Sequence, residues 1–320
     1  MFDHILVPLD GSLLAECVLP HAVAVARAFG SDITLLQVLE RAEVDGSRLV
    51  DPLEWHISRG EAEAYLADWA RRLRDVDVEA EYKLVHGRVT DQVFDFVRDH
   101  GVDLMVLSSH GQGGLGGWNV SGTVQKIIFR VHISVMIVRA YQPLDVDLRG
   151  PQYRRLLLAL DGSQRAESAV APVTQLARFY SSRVLVASVT SKPEVTRHRP
   201  LTSEEAQLVD KLTGLNQLET ASYLQRWDST LSTEGIEAET RPLVGTSPTE
   251  VLQDVVEQEH VDLVVLSAHG ATGTARWPYG SVATNFIAYG TTPLLIVQDL
   301  APENMEPSAA ELASRERRRH

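Results

Sequence analysis

Two short stretches in the second half of the chain have residue types and spacing that suit the binding of a phosphate chain. Asp161-Gly162-Ser163 follows the apolar run Leu156–Leu160, and Ser267-Ala268-His269-Gly270 is followed ten positions on by Gly280-Ser281-Val282. Glycine lets the main chain come close to a ligand. Gly280-Ser281 would open a helix from Val282 to Tyr289, whose unpaired first N–H groups, with the serine hydroxyl beside them, suit an anion. By itself Asp-Gly-Ser reads as a turn with serine capping the next helix. The phosphate reading gains from topology: in open α/β sheets ligands lie beyond the carboxyl ends of the strands, where the winding reverses.

The first half carries the same pattern less regularly. Asp10, Ser108 and Gly111 match, but nine residues past Gly111 comes Ser121, with Gly122-Thr123 one position later. Either this loop holds an additional residue, or Ser121 must adopt a backbone angle unfavourable to a side chain. The first half is therefore expected to be the weaker site. His110 and His269 recur in the same loop, yet no serine or cysteine with an acid completes a nucleophilic triad, and a loop-orienting role suits them better. Arg276 reads as a phosphate contact or a solvated side chain. A Walker lysine motif and the paired Cys or His spacings of a zinc site are absent from the sequence, so no metal ligand is assigned. Cys17, the single cysteine, reads as a small buried helix residue and suits a reducing cytosol.

The elements that would position these residues also come twice. Ile5–Ser12 matches Leu156–Ser163 at an offset of 151, and Val102–Gly111 matches Val261–Gly270 at an offset of 159. Val38 and Val189 keep the first offset while Gly87 and Gly245 differ by 158, so the second copy carries its additional residues between Val189 and Gly245. This is a duplication. Uniformly apolar runs at Ile5–Leu9, Ile33–Val38, Leu104–Leu107 and Val135–Val138 suit strands covered on both faces. Between them Leu13, Leu14, Val18, Val25 and Phe29 suggest one helix, and Val93, Phe94 and Val97 another. Leu208, Leu212, Leu215, Leu224, Trp227 and Leu231 mark a long helix whose apolar residues are expected to be core. Alternating strands and helices imply right-handed crossovers in two doubly wound parallel sheets. The expected division is 1–140, a linker over 141–152, a second domain over 153–299, and a disordered tail over 300–320 that is rich in Pro, Glu, Ser, Ala and Arg.

The chain has 320 residues and a net charge of −13. Both halves are acidic, with 14 basic against 22 acidic groups in residues 1–150 and 16 against 21 in the rest. That argues against nucleic acid as a general partner, since a phosphate backbone demands a basic footprint. A single nucleotide is still allowed, because one nest of N–H groups can outweigh a diffuse field. No apolar run is long enough to span a bilayer, and Met1–His4 runs into a strand without a leader pattern, so no membrane association and a cytoplasmic location are expected.

Taken together, an Asp after the first strand and Ser-x-His-Gly-x9-Gly-Ser after the fourth resemble the universal stress protein family, twice over, across residues 1–299. That resemblance implies the adenine nucleotide α-hydrolase-like fold, five parallel strands in the order 3-2-1-4-5. It implies ATP as the ligand, with Mg²⁺ as a plausible companion of the triphosphate. Carried over to this chain, Asp161 lies beside adenine and ribose, and Val189 meets the base through its backbone. Ser267 and Gly270 take the places of the first glycine pair, the opening glycine being serine here. Gly280, Ser281 and Val282 form the phosphate turn. In the first copy Asp10, Val38, Ser108, Gly111, Gly122 and Thr123 take the corresponding roles.

Three functions fit these residues. One is a nucleotide-binding regulator of stress response, another an interaction module with a vestigial pocket, and the third a slow ATPase. The last lacks an evident general base or lysine. The apolar last strands, Val135–Val138 and Leu294–Val297, are expected at sheet edges, which invite pairing. In the resembling family such strands pair across a dimer, implying an intrachain pseudo-dimer and scope for a homodimer.

Overall fold

The computed structural model describes residues 1–40, 52–110, 120–140, 146–191, 202–271 and 278–299. The chain divides into two compact units, Met1–Gln152 and Tyr153–Asp299, with the remaining residues 300–320 outside the described set. The first unit runs β1 (His4–Leu9), α1 (Leu13–Glu16), α2 (Leu19–Phe29), β2 (Asp32–Leu39), α3 (Pro52–Arg74), β3 (Ala80–His86), α4 (Val89–Asp99), β4 (Leu104–Ser108), α5 (Gly122–Ile128) and β5 (Ser134–Val138). Its strands pair in parallel in the order β3-β2-β1-β4-β5.

The second unit runs β6 (Arg155–Ala159), a 3₁₀ turn (Ala166–Ala169), α6 (Val170–Tyr180), β7 (Arg183–Ser191), α7 (Ser203–Thr233), β8 (Ala238–Gly245), α8 (Pro248–Gln258), β9 (Leu263–Ser267), α9 (Ser281–Tyr289) and β10 (Leu294–Val297). Its strands repeat the same parallel order, β8-β7-β6-β9-β10. β4 and β9 are buried along their whole length, as strands covered on both faces must be. The winding reverses between β1 and β4, and again between β6 and β9. A crevice therefore opens at the carboxyl end of each sheet.

Three local features depart from the sequence expectations. The helix expected from Leu13 to Phe29 is two, because Pro20 in the first turn of α2 cannot donate the N–H that a continuous helix needs. Part of the connecting segment is docked rather than free. Leu148 is buried, Arg27 donates to the Arg149 carbonyl at 3.1 Å, and Gly150 has φ 77° with the Pro20 carbonyl 2.8 Å from where a Cβ would stand. Only glycine fits that site without displacing α2.

The third departure is in α7. Leu224 and Leu231 are buried as expected, but Leu208, Leu212 and Leu215 are 59%, 44% and 55% exposed, so these three are not core. The reason is angular. From Leu215 to Leu224 is nine residues, about two and a half turns, which puts the two leucines on opposite sides of the helix.

The amino-terminal edges of the two sheets differ in charge. In the first unit a 650 Å³ depression is lined by Asp3, Asp32, Glu79, Glu81 and Asp103 together with His4. In the second the same edge is an ion-pair chain: Arg155 meets Glu259 at 2.9 Å, Glu259 meets Arg241 at 3.1 Å, and Arg241 and Arg183 both meet Glu239. The Arg241 hydrogen bond, with Arg155 nearby, holds the Glu259 carboxyl below the usual range.

Burial also shifts two groups of the first unit: Cys17, which lies in the link between α1 and α2 rather than within a helix, and His21 on α2. The Cys17 thiol is pushed up to about 12, which makes it a poor nucleophile. Desolvation lowers the His21 imidazole from 6.5 to about 4. The unfolded chain takes up that proton near its ordinary value while the folded chain resists, so acid favours unfolding across this window. We expect stability to fall by about 2 kcal/mol between pH 6.5 and 4 on this account, allowing for the partial exposure of His21. Urea titrations of wild type and His21→Gln across that range check it, the variant giving the flatter profile.

Candidate functional site

Asp161 leaves the end of β6 and turns back on its own chain. Its Oδ1 accepts from the Ser163 N–H at 3.0 Å and from the Ser163 hydroxyl at 2.6 Å, while the Ala166 N–H donates to that hydroxyl oxygen at 3.2 Å. This is the turn and cap that Asp-Gly-Ser suggests, and Asp10 and Ser12 repeat it in the first unit. Asp161 has a second attachment. Its Oδ2 accepts from the Ala271 N–H at 2.7 Å, tying the loop after β9 to the end of β6. Gly270 lies directly under that carboxylate: a Cβ there would stand 2.1 Å from Oδ2. The glycine is required by close approach of the acid, a contact that spacing alone does not reveal.

The loop has its own internal brace. Ser267 Oγ donates to the His269 carbonyl, and Ser108 Oγ donates to the His110 carbonyl at 2.6 Å. Serine at the opening glycine position thus closes a tight turn in both copies. His269 is buried, and its Nδ1 lies 2.7 Å from Asp299 Oδ1, which also accepts from the His269 N–H at 3.1 Å. Arg165 Nε is 3.7 Å from the other Asp299 oxygen. This gives the loop-orienting role expected of His269 a named partner. Asp299 had no signature in the sequence, because the matching position in the first copy is Ala140, whose N–H donates to Ser109 Oγ beside His110.

The start of α9 completes the site. The Gly280 N–H donates to the Ala268 carbonyl at 2.8 Å, and the Gly280 carbonyl takes the first helical bond from Thr284 at 2.9 Å. Gly280 is the N-cap with φ −72° and ψ 173°, an extended conformation open to any residue. A Cβ there would meet nothing nearer than 3.5 Å. Neither backbone angle nor crowding calls for glycine. Without a side chain it leaves the first N–H groups of α9 uncapped.

Asp161, Val189, Ser267, Gly270, Gly280, Ser281 and Val282 all line one cavity of about 270 Å³ at the carboxyl end of the second sheet. The sequence reading missed its apolar wall of Ala159, Ala187, Pro248, Leu252 and Leu266. Ala159, Pro248 and Leu266 stand at or next to element ends while Ala187 and Leu252 lie within β7 and α8, and in both settings apolar character looks like ordinary core. Arg276 falls outside the described residues.

In the first unit Asp10, Val38 and Ser108 occupy the matching strand ends, while Gly111 lies outside the described residues. The Ser121 N–H donates to the Ser109 carbonyl at 2.9 Å, the counterpart of the Gly280 bond. Ser121 therefore holds the turn position itself, and Gly122-Thr123 form the first residues of α5. Its φ of −58° is comfortable for a side chain, so the unfavourable angle expected for a serine here does not arise. The consequence lies elsewhere: Ser121 Oγ accepts from the Val124 N–H at 3.3 Å and caps α5 with its own hydroxyl.

Comparison with known proteins agrees with this architecture. The model of the universal stress protein family matches residues 1–139 and again 152–298. The universal stress protein MJ0577 of Methanocaldococcus jannaschii is 24% identical over 159 residues, 46% of this chain and 95% of that protein. A putative universal stress protein of Staphylococcus haemolyticus is 21% identical over 160 residues, 49% of this chain and 93% of its own length. Among solved structures, a universal stress protein from Archaeoglobus fulgidus covers 94% of this chain and 100% of its own at a TM-score of 0.67 and 15% identity. At that identity the likeness speaks for the fold. The chain belongs to the universal stress protein family and carries that family's domain twice.

Proposed function

We propose that the second unit binds ATP, with adenosine between Asp161 and Val189 and the phosphate chain at the start of α9, and that the protein works as a nucleotide-responsive regulator in stress response. The observation that carries this reading is the uncapped N-terminus of α9, at a glycine that neither strain nor crowding requires, opening on the cavity that Asp161 and Val189 line. Three N–H groups at a helix start, with the Ser281 hydroxyl beside them, favour a polyanion. Mg²⁺, when present, would be held chiefly by the phosphates, since Asp161 already accepts three hydrogen bonds from its own chain.

The first unit is read differently. Ser121 occupies part of the helix terminus that Gly280 leaves open, which favours an interaction role for that copy. ATP turnover, if measured, should be slow, because the loop histidine of the second unit is engaged with Asp299 rather than with a nucleophile.

Titration calorimetry of the full chain with ATP, ADP and AMP tests the reading. We expect one ATP per chain, with affinity falling as phosphates are removed. No binding, or equal affinity for all three, would refute it. In the cytoplasm, where we place the protein, ATP is abundant, so even modest affinity would suffice; among the described residues no helix is long and apolar enough to cross a membrane.

A further inference from the structure

The exposed side of α7 has a pattern that the nucleotide site does not use. Leu208, Leu212, Leu215 and Leu218 are 59%, 44%, 55% and 69% exposed; of the buried residues Thr213, Leu224 and Leu231 lie on the opposite side of the same helix, and Tyr223 lies on the flank of the face with Arg226 over its ring at 5.4 Å. With 3.6 residues per turn, Glu204, Lys211, Glu219, Ser222 and Arg226 share the leucine face. None of the four charged residues among them has an ion-pair partner among the described residues. The order along the face reads acid, leucine, lysine-leucine, leucine, leucine-acid, serine, arginine.

That order is complementary to its own reverse. Laid antiparallel on a second copy with Leu215 at the two-fold axis, Lys211 meets Glu219, Glu204 meets Arg226, Leu212 meets Leu218 and Leu208 meets Ser222, each pair occurring twice, and only the last sets an apolar against a polar side chain. A parallel arrangement would instead set Lys211 against Lys211 and Glu219 against Glu219, which like-charge repulsion disfavours. We propose that α7 is the seam of an antiparallel homodimer, in which the leucine face of one chain packs on the same face of another. An isologous contact of this kind requires that residue i meet j while j meets i, which the face satisfies.

Among the described residues the seam belongs to the second copy alone. α3 of the first unit has 23 residues against 31 in α7, and after the exposed Leu53 and Ile57 it places Gly60 where a further apolar residue would continue the stripe. The residues that the second copy adds between Val189 and Gly245 thus lengthen the helix carrying the seam. A single helix pair buries less than the roughly 1,200 Å² of a standard stable interface, so association should be concentration-dependent.

Charge exchange tests this on the full chain by sedimentation across a wide concentration range. Wild type is expected to dimerise reversibly. Lys211→Glu and Glu219→Lys should each weaken association on the order of tenfold, since each sets like charges together twice. The double variant Lys211→Glu/Glu219→Lys restores opposite pairs and should recover wild-type association. Leu215→Glu, placing two carboxylates on the axis, should give monomer with unchanged helical circular dichroism. A monomeric wild type, a double variant no better than the singles, or dimers that survive Leu215→Glu would overturn the proposal. Dimer that forms only after residues 301–320 are removed would likewise overturn it, by making those residues the occupant of the face in the intact chain.

Discussion

Gly270→Ala should weaken ATP binding about a hundredfold, equivalent to roughly 2–3 kcal/mol. The added methyl would stand 2.1 Å from Asp161 Oδ2, far inside contact distance, and that oxygen is also the acceptor for the Ala271 N–H at 2.7 Å. Either the loop lifts from the end of β6 or the carboxylate swings away, and both separate the two walls of the cavity. A stability loss of about 1–3 kcal/mol should accompany it, as in other overpacked sites. The mechanism is checked by a double-mutant cycle. With Asp161→Ala in place the obstruction is gone, so the further change Gly270→Ala should cost much less than in wild type. Calorimetry giving the same loss in both backgrounds would show that Gly270 serves some purpose other than making room for the acid.

Gly280→Ser copies into the second unit what Ser121 does in the first. The backbone at Gly280 accepts a side chain without strain, and the nearest atom to a Cβ is the Ala268 carbonyl at 3.5 Å. A hydroxyl there should accept from the Ala283 N–H and cap α9. We expect the fold to gain about a few tenths of a kcal/mol, while ATP affinity falls on the order of tenfold as one donor and the open end of the helix are taken. Opposite signs in the two readouts distinguish this from simple damage. The reciprocal change, Ser121→Gly, should cost only a few tenths of a kcal/mol and leave ATP binding unaltered. Thermal melts with and without ATP report both quantities, and unchanged affinity in Gly280→Ser would remove the helix terminus from the site.

The parts of this molecule that the sequence disclosed are those where one residue type has one job. The duplication and the alternation of strands and helices were legible because apolar runs and repeat offsets report backbone geometry directly, whereas the strand order that brings Asp161 and Gly280 together came from the family resemblance. Contacts between side chains distant along the chain were not. Asp299 pairs with His269 across the carboxyl ends of the strands, yet its counterpart is Ala140, so the repeat gave no hint of it. The leucines of α7 misled for a different reason. Spacing of three and four identifies a face but not which face, and the jump from Leu215 to Leu224 changes sides without breaking the apparent rhythm. At Ser121 backbone strain was the expected cost of losing glycine. The actual difference is a hydrogen bond, made by an ordinary extended residue to a group that glycine would have left open.

The contrasting sheet edges have a consequence for how the two halves respond to ionic strength. Along the amino edge of the first unit five acids, Asp3, Asp32, Glu79, Glu81 and Asp103, gather with cations, among the described residues, only at Asp3, which meets the N-terminal ammonium at 2.9 Å, and Glu81, 3.8 Å from Lys83, so the excess negative charge is repulsive and added salt shields it. Along the second, the chain from Arg155 through Glu259 and Arg241 to Glu239 and Arg183 is attractive, and the same ions weaken it. The two amino edges are thereby expected to respond to electrolyte with opposite signs, the first relieved of repulsion by added salt and the second loosened by it.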